Sequence, residues 1–208
     1  MELSNVNQLL STIPNGVTVV AATKYVNSGD MKKLLDNGIN NFGENRVDSF
    51  LTKYVELLDE DIVWHFIGHL QRNKAKMVID KIEYLHSLDS LELAKIIDKL
   101  RDKPLKCFIE VNINDEESKN GVKLARLDDF VMEVLKYKNV EIVGLMCMTV
   151  KESSDKYQQF LKLKDIMNDL NKKFNLNMSD MSIGMSDDYI EAIKAGSTFV
   201  RLGRILWM

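Results

Sequence analysis

Short apolar runs alternate with longer stretches of helical spacing along the whole chain. The first run, Val17–Tyr25, consists of small and β-branched residues, ends on Lys24 and Tyr25, and is followed by Ser28-Gly29-Asp30. A run of this length between polar residues predicts a strand that is buried on both faces. Seven further runs predict strands at residues 39–43, 62–68, 82–88, 106–113, 140–148, 180–184 and 198–203.

Helical patterns separate these runs. Glu2–Thr12 predicts a short N-terminal helix, apolar residues recur at helical spacing over Arg46–Leu58, and the longest predicted helix covers Ser154–Phe174. Eight strands that alternate with helices are the count of a closed, TIM-like (β/α)8 barrel, and short connections favour parallel strands. A doubly wound open sheet is the alternative. We therefore expect an α/β fold, with one barrel domain over residues 1–208 and a short N-terminal helix.

Composition and charge narrow the class of protein. The chain has 208 residues, a net charge of -3 and no block of like charges, which gives no support for a nucleic-acid or membrane-surface partner. Cys107 and Cys147 stand alone in apolar runs, a usage typical of a reducing compartment. The N-terminus has no leader pattern, and no apolar run reaches the ~20 residues that a membrane span needs. We expect a soluble, cytoplasmic protein.

Lys24 is the first candidate for chemistry. Alternation along the first strand predicts that Lys24 shares a face with Val20 and Ala22, at the strand end where barrels place functional residues. Lys24 either caps the strand and reaches solvent or serves as a desolvated amine. In a closed barrel the last strand lies beside the first, so an inward-facing Arg201 would come near Lys24. A guanidinium and burial both favour a neutral amine, which can attack an aldehyde.

The loops after the seventh and eighth strands form the second feature, because these loops often bind phosphate in this fold. They carry Gly184-Met185-Ser186, predicted to open a helix, and Gly203-Arg204. Glycine allows backbone amides to approach an anion, and a helix start offers free N–H groups. The plainer interpretation is a turn at Gly184 and a helix cap at Ser186. Asp187-Asp188 would have to point away from an anion.

A nucleophilic lysine, an arginine and a phosphate cradle on adjacent strands predict one site for a phosphorylated aldehyde. An aldolase-type sugar phosphate and pyridoxal 5′-phosphate (PLP) both fit this description. His65 and His69 have the spacing of helical metal ligands, but they fall on a strand and the loop after it, which is a poor geometry for one ion. We therefore assign no metal ligand, and we expect His86 in the core or at its rim.

Several motifs around these features occur together in one family. They are Ala22-Thr-Lys24, Asn41-Phe-Gly-Glu-Asn45, Trp64-His-Phe-Ile-Gly-His-Leu-Gln71, Asn73-Lys74, Glu116-Glu-Ser-Lys119, Gly144-Leu-Met146, Gly184-Met-Ser-Asp187, and Gly196-Ser-Thr198 leading to Val200-Arg-Leu-Gly203. With these motifs in this order over nearly the whole chain, the sequence resembles the pyridoxal phosphate homeostasis family. That family looks like the barrel domain of bacterial alanine racemase standing alone, the type III PLP fold.

The resemblance implies a set of cofactor-binding residues. They are Lys24, Asn45, Gly184, Ser186, Arg201, Gly203 and Arg204. By this resemblance Lys24 holds PLP as a covalent internal aldimine, Arg201 faces the pyridine nitrogen, Asn45 forms a pocket wall, and the two glycine loops hold the phosphate. The chain departs from the family at Arg204, where a small hydroxyl residue is usual, and at its tail, Leu206-Trp-Met208.

The same resemblance bears on catalysis. An arginine at the pyridine nitrogen keeps that nitrogen unprotonated and weakens the ring as an electron sink. A racemase needs a base on each face of PLP, and the second base of alanine racemase is a tyrosine from a domain that we do not find in this chain. Tyr25 is expected at the strand-end face but pointing away from Lys24.

We therefore expect a PLP-binding protein that buffers or delivers PLP, with no catalytic residue assigned. Such a protein would affect vitamin B6 and amino-acid balance. It would act as a monomer, and PLP-dependent apoenzymes are its expected partners. A PLP-dependent amino-acid racemase is the first alternative, and a Schiff-base aldolase without PLP is the second.

Overall fold

The computed structural model describes residue 3 and residues 6–116, 119–149 and 155–207. Some predicted positions lie outside the described residues. They are Glu2, Ser4 and Asn5 of the predicted first helix, Ser154 at the start of the longest one, Glu117 and Ser118 of one motif, and Met208. The strands are β1 (Thr18–Ala22), β2 (Asn41–Glu44), β3 (Val63–Phe66), β4 (Tyr84–Leu88), β5 (Leu105–Asn112), β6 (Val122–Lys123), β7 (Val140–Met146), β8 (Asp180–Met185) and β9 (Phe199–Leu202).

Eight α-helices lie between or before these strands in the described part of the chain. They are α1 (Val6–Ser11), α2 (Ser28–Asp36), α3 (Val47–Glu56), α4 (Arg72–Ala75), α5 (Leu91–Leu100), α6 (Leu127–Val134), α7 (Lys156–Phe174) and α8 (Tyr189–Ala195). Two 3-10 helices cover Leu124–Arg126 and Arg204–Leu206. No helix within the described ranges is both long and apolar enough to span a bilayer.

The strands close into a barrel. Their order is β4-β3-β2-β1-β9-β8-β7-β5, and β4 also pairs with β5, which completes the ring. Every pairing is parallel. The two-residue strand β6 pairs with the last residues of β5 and so extends the carboxyl-end mouth. The prediction of a (β/α)8 barrel is confirmed, and the open-sheet alternative is wrong.

Two apolar layers follow from the alternation of side chains along each strand. Val20, Phe108, Met146 and Phe199 form a buried cluster inside the barrel. The residue next to each of them, Ala21, Cys107, Leu145 and Val200, belongs to the larger core between strands and helices. The barrel is therefore packed with side chains, as is typical of this fold, and the open space lies at the mouth.

Candidate functional site

Lys24 lies in a turn past β1 at the mouth of the barrel. Thr23 is fully buried, whereas Lys24 is exposed and Tyr25 is 78% exposed. The Val26 amide donates to the Thr23 carbonyl (2.9 Å), so the chain leaves the sheet at Thr23. The Lys24 ammonium lies 4.6 Å from the centre of the Tyr25 ring. Of the two alternatives for Lys24, the structure shows the side chain that reaches solvent. The expectation that Tyr25 points away from Lys24 is wrong, because the alternation of the strand ends where this turn begins.

Arg201 lies deeper in the barrel, on β9. The register pairs it with Val20 of β1, so its side chain points into the barrel, as that of Val20 does. Its guanidinium is buried and donates to the carbonyl and hydroxyl oxygens of Ser182, both at 2.6 Å, and to the Cys147 carbonyl at 3.3 Å. Burial lowers the pKa of Arg201 from its usual value. Arg201 on β9 and Lys24 after β1 thus belong to neighbouring strands, but their side chains contact different groups.

A chain of hydrogen bonds crosses the interior behind Arg201. Ser182 Oγ lies 2.7 Å from His86 Nδ1, His86 Nε2 lies 2.9 Å from His65 Nδ1, and His65 Nε2 lies 2.9 Å from Asn41 Oδ1. Burial lowers the pKa of His65 to about 3 and that of His86 well below its usual value. Both rings are therefore neutral near pH 7, and His86 is a core residue as expected.

The two glycine loops meet at the mouth. The Gly203 amide donates to Ser186 Oγ (3.2 Å), and a Cβ added at Gly203 would lie 3.7 Å from Ala22, two residues before Lys24. Gly184, near the end of β8, has a φ of +93°, and a Cβ there would lie 2.5 Å from the Ala192 side chain, so the chain requires glycine at this position. The predicted proximity of these loops to each other and to the Lys24 turn is therefore found in the structure.

The charged residues next to the cradle point elsewhere. Asp187 pairs with Arg204 at 2.6 Å on the exposed surface, so the Arg204 guanidinium extends outward. Asp188 accepts from the Met185 amide (2.7 Å) and the Thr149 hydroxyl (3.1 Å). Asp188 occupies the N-cap position of α8, without a side-chain cap hydrogen bond, so the interpretation of Ser186 as the helix cap is wrong.

Asn45 follows β2 at the same mouth. Its side-chain oxygen is buried and has no hydrogen-bond donor among the residues that the structure describes. A Cβ at the neighbouring Gly68 would lie 2.5 Å from the Asn45 carbonyl oxygen, so the two loops are in close contact. A buried acceptor without a donor is uncommon and marks a place where a ligand can supply one.

Glu110 was not predicted as a site residue, although it alternates with the inward-facing Phe108 on β5. It is buried and lines a cavity of about 200 Å³ with Asn112, Lys119 and Met148. Burial, together with the nearby Asp89 carboxylate, raises the pKa of Glu110 to about 7, against smaller opposite effects of Arg201 and His69. The mouth therefore contains a carboxyl group that titrates near neutrality.

The histidine chain and one buried ion pair, Glu44 with Lys53, were also missed. The inward face of His65 and His86 follows from strand alternation, but their contact depends on the register of β3 and β4. The Glu44–Lys53 pair joins a strand to a helix, and neither the residue types nor their spacing in the sequence predicts this contact. Of the predicted set, the structure brings Ser186 to Gly203, and Gly203 to Ala22 just before the Lys24 turn, while the Arg204 side chain lies outside.

Comparison with known proteins agrees with this geometry. The family model described as alanine racemase, N-terminal domain, matches residues 3–208. The pyridoxal phosphate homeostasis protein of Aquifex aeolicus is 36% identical over 198 residues, which are 93% of this chain and 87% of that protein. The chain belongs to the pyridoxal phosphate homeostasis family. The Escherichia coli K12 member of the family is 32% identical over 93% of this chain and 86% of its own length.

Solved structures extend the comparison to the fold. PipY of Synechococcus elongatus, solved with PLP bound, is 27% identical, and the two chains superpose with a TM-score of 0.91 over 98% of each. An alanine racemase of Clostridium difficile is 15% identical and has a TM-score of 0.77, covering 98% of this chain and 55% of the racemase. The pyridoxal phosphate homeostasis fold therefore matches about half of the racemase.

Proposed function

We propose that this protein binds PLP as a Schiff base on Lys24 and buffers or delivers it in cellular PLP homeostasis, without strong catalysis of its own. The observation that carries the proposal is the hydrogen bond from the Gly203 amide to Ser186 Oγ, which joins the two glycine loops, with Gly203 beside Ala22, two residues before Lys24. The names of the relatives and the PLP bound to PipY support the same ligand.

The residues at the mouth fit the parts of PLP. The Ser186 hydroxyl and the amides of Gly203 and residue 204 would bind the phosphate, because Ser186 Oγ and the Gly203 amide meet at the mouth and the Arg204 guanidinium lies outside. Arg201 would donate to the pyridine nitrogen. The side-chain oxygen of Asn45, which has no donor among the described residues, would accept from a ring substituent. Lys24 would add to the aldehyde carbon, forming a C=N bond with loss of water.

Two features of the site favour a carrier over an enzyme. PLP acts as an electron sink for amino-acid chemistry when its ring nitrogen is protonated, and a guanidinium donor at that nitrogen keeps it unprotonated. Lys24 is exposed, so water and a receiving protein have access to the linkage. Release by hydrolysis or by exchange with another amine then competes with catalysis.

The proposal extends to the setting in which the protein works. We take PLP-dependent apoenzymes as the recipients, the cytoplasm as the compartment and a monomer as the working form. The buried free thiols of Cys107 and Cys147 suit a reducing compartment.

The test is the visible absorption of the purified protein with added PLP, beside a Lys24→Ala variant. We expect a Schiff-base band that the variant lacks, and borohydride reduction should add the pyridoxyl group to Lys24 in a peptide map. A band of equal strength in Lys24→Ala, or no band at all in the parent protein, would overturn the proposal. Light scattering of the same sample tests the monomer.

A second candidate function is a PLP-dependent amino-acid racemase, and Glu110 is the observation that favours it. A buried carboxyl with a pKa near 7 is suited to proton transfer. Sustained formation of D-amino acid by the PLP-loaded protein, lost in Glu110→Gln, would support the racemase. If the loaded protein forms D-amino acid no faster than free PLP does, the racemase is excluded and the carrier function stands.

A further inference from the structure

A buried polar cluster lies behind the Lys24 turn, between the barrel wall and α3. Lys53 of α3 donates from Nζ to Glu44 Oε1 of β2 at 2.5 Å and to the carbonyl oxygen of Thr23 at 2.6 Å. The Thr23 hydroxyl donates to the same Glu44 oxygen at 2.6 Å. Thr23 and Glu44 are fully buried, and Lys53 is 7% exposed. None of these three residues belongs to the proposed PLP contacts.

We propose that the Glu44–Lys53 pair is a positioning device that fixes the backbone of Lys24 and withdraws Lys53 from competing for the aldehyde. This proposal rests on the proposed function in one respect, namely that the aldehyde is PLP. Its structural basis is the set of bonds that converge on Thr23.

The first part of the proposal concerns the backbone. The Thr23 carbonyl belongs to the peptide bond whose nitrogen is that of Lys24. This carbonyl accepts from both the Val26 amide and the Lys53 ammonium, and the Thr23 amide donates to the Gly43 carbonyl at 3.1 Å. The start of the Lys24 turn is therefore tied to β2 on one side and to α3 on the other. A charge-assisted hydrogen bond of this kind is worth more than a neutral one, so its loss frees the turn.

The second part concerns the choice between two lysines. Lys24 and Lys53 line the same open groove of about 520 Å³, together with Tyr25, Ser49 and Thr52. Lys53 Nζ is held by a carboxylate and a carbonyl, whereas the Lys24 ammonium lies over an exposed ring. An ion-paired, hydrogen-bonded ammonium is a poor nucleophile, so Lys24 is the amine of this groove that is available to an aldehyde.

The energetics favour a positioning role over a purely stabilising one. A buried ion pair pays a large desolvation cost and adds little net stability compared with an apolar pair. Here the cost is raised further, because the second oxygen of Glu44 is buried without a donor among the described residues. Well-packed apolar residues in place of a buried ion pair often leave a protein equally or more stable, so filling space does not require these charges. A charged pair is explained here by its position, because Lys53 binds the carbonyl of the Thr23–Lys24 peptide bond.

The experiment compares Lys53→Met, Glu44→Gln and the double variant, with Lys136→Met as the control. Lys136 forms an ion pair of the same 2.5 Å length with Glu133, but on the exposed surface. The first readout needs no PLP: reductive methylation with formaldehyde, followed by mass spectrometry, gives the labelling rates of Lys24 and Lys53. In Glu44→Gln we expect Lys53 to label about tenfold faster relative to Lys24, the effect of one lost charged hydrogen bond.

The second readout is the equilibrium constant for the PLP Schiff base, measured by absorption. We expect it to fall about tenfold in Lys53→Met and in the double variant, with no change in Lys136→Met. Lys53→Arg keeps a donor for the Glu44 carboxylate and the Thr23 carbonyl, so its Schiff-base constant should be close to that of the parent protein. If Glu44→Gln unfolds because it leaves a buried ammonium unpaired, the double variant, which buries no charge, still gives this result.

The outcomes separate the two proposals. Unchanged labelling ratios in a folded Glu44→Gln protein, or an unchanged Schiff-base constant in a folded Lys53→Met or double variant, would overturn the positioning role. A parent protein that labels at Lys24 with formaldehyde but gives no band with PLP would overturn the proposed function alone.

Discussion

His65 and His86 share one hydrogen bond across the barrel interior, with 2.9 Å between His65 Nδ1 and His86 Nε2. Its direction follows from the groups at the two ends. Arg201 donates to Ser182, which leaves the Ser182 hydroxyl to donate to His86 Nδ1, so the His86 proton lies on Nε2. His65 then accepts at Nδ1 and donates from Nε2 to Asn41. In every hydrogen bond of this series the donor is the group nearer to Arg201, and each imidazole ring carries a single proton.

This arrangement predicts loss of stability in acid. The folded-state pKa of His65 is about 3, below the ordinary value of 6.5, so the unfolded chain binds more protons between these values. The contribution of His65 is complete above pH 6.5 and is lost as the pH falls toward 3. In urea titrations, His65→Asn should reduce the slope of unfolding free energy against pH by up to about 1.4 kcal/mol per pH unit. His69→Asn, at an exposed histidine, serves as the control, and equal slopes in both variants would contradict the prediction.

Glu110 predicts the opposite dependence. Its folded pKa of about 7 lies above the ordinary 4.5, so its contribution is complete below pH 4.5 and is lost as the pH rises through 7. Glu110→Gln should therefore raise the unfolding free energy at pH 8 by about 1–3 kcal/mol and change it little at pH 5. Glu141→Gln, at an exposed position on β7, should change neither value. A Glu110→Gln protein that is no more stable than the parent at pH 8 would show that Glu110 is not desolvated.

The close approach of β7 and β8 predicts a strict need for glycine at residue 144. A Cβ there would lie 1.7 Å from the Asp180 carbonyl oxygen, so Gly144→Ala must push two paired strands apart. We expect a loss of about 2 kcal/mol or more in urea unfolding, in the range of overpacked cores. Gly29→Ala in α2, where the new Cβ meets only the Asn27 side chain at 3.3 Å, is the matched control and should cost little. Equal stability of the two variants would show that the strands can yield.

The cradle predicts a difference between two neighbouring side chains. Ser186→Ala removes a hydroxyl that bonds the Gly203 amide and should weaken PLP binding about tenfold, because a hydrogen bond to a charged group is lost. Arg204→Ala removes a guanidinium that pairs with Asp187 in solvent and should change the affinity less than twofold, about 0.4 kcal/mol. Titration of both variants with PLP, followed by absorption, compares them directly. A loss in Arg204→Ala as large as that in Ser186→Ala would place the guanidinium at the phosphate.

The sequence predicted the barrel because each of the eight strands of the ring is a short apolar run that ends near glycine or polar residues. The two-residue strand β6 was not predicted, because Val122-Lys123 forms no such run. It also predicted that Ser186 and Gly203 would meet, since consecutive strands of a parallel barrel present their carboxyl ends at one mouth. Lys24 was placed at the correct end of β1 but with the wrong surroundings. Strand alternation was extended to Lys24 and Tyr25, although β1 ends at Ala22 and the Val26 amide bonds the Thr23 carbonyl where the turn begins.

Contacts between distant elements could not be predicted in the same way. The His65–His86 bond depends on strand register, which an apolar run does not specify when both faces are buried. Glu110 was overlooked because one carboxylate in an apolar strand has no spacing signal, although its inward face follows from Phe108. Lys53 looks like an ordinary helix lysine in the sequence, and only the packing of α3 on the barrel brings it to Glu44.

The cluster of Thr23, Glu44 and Lys53 also limits which substitutions this sequence can accept during evolution. Each member satisfies a buried group of another, so a change at one position alone leaves an orphaned charge or carbonyl, and the next tolerated change falls on a partner. Positions 23, 44 and 53 should therefore be inherited as a unit among relatives. A lineage that exchanges the carboxylate of residue 44 for a neutral group should also have given up the lysine at 53.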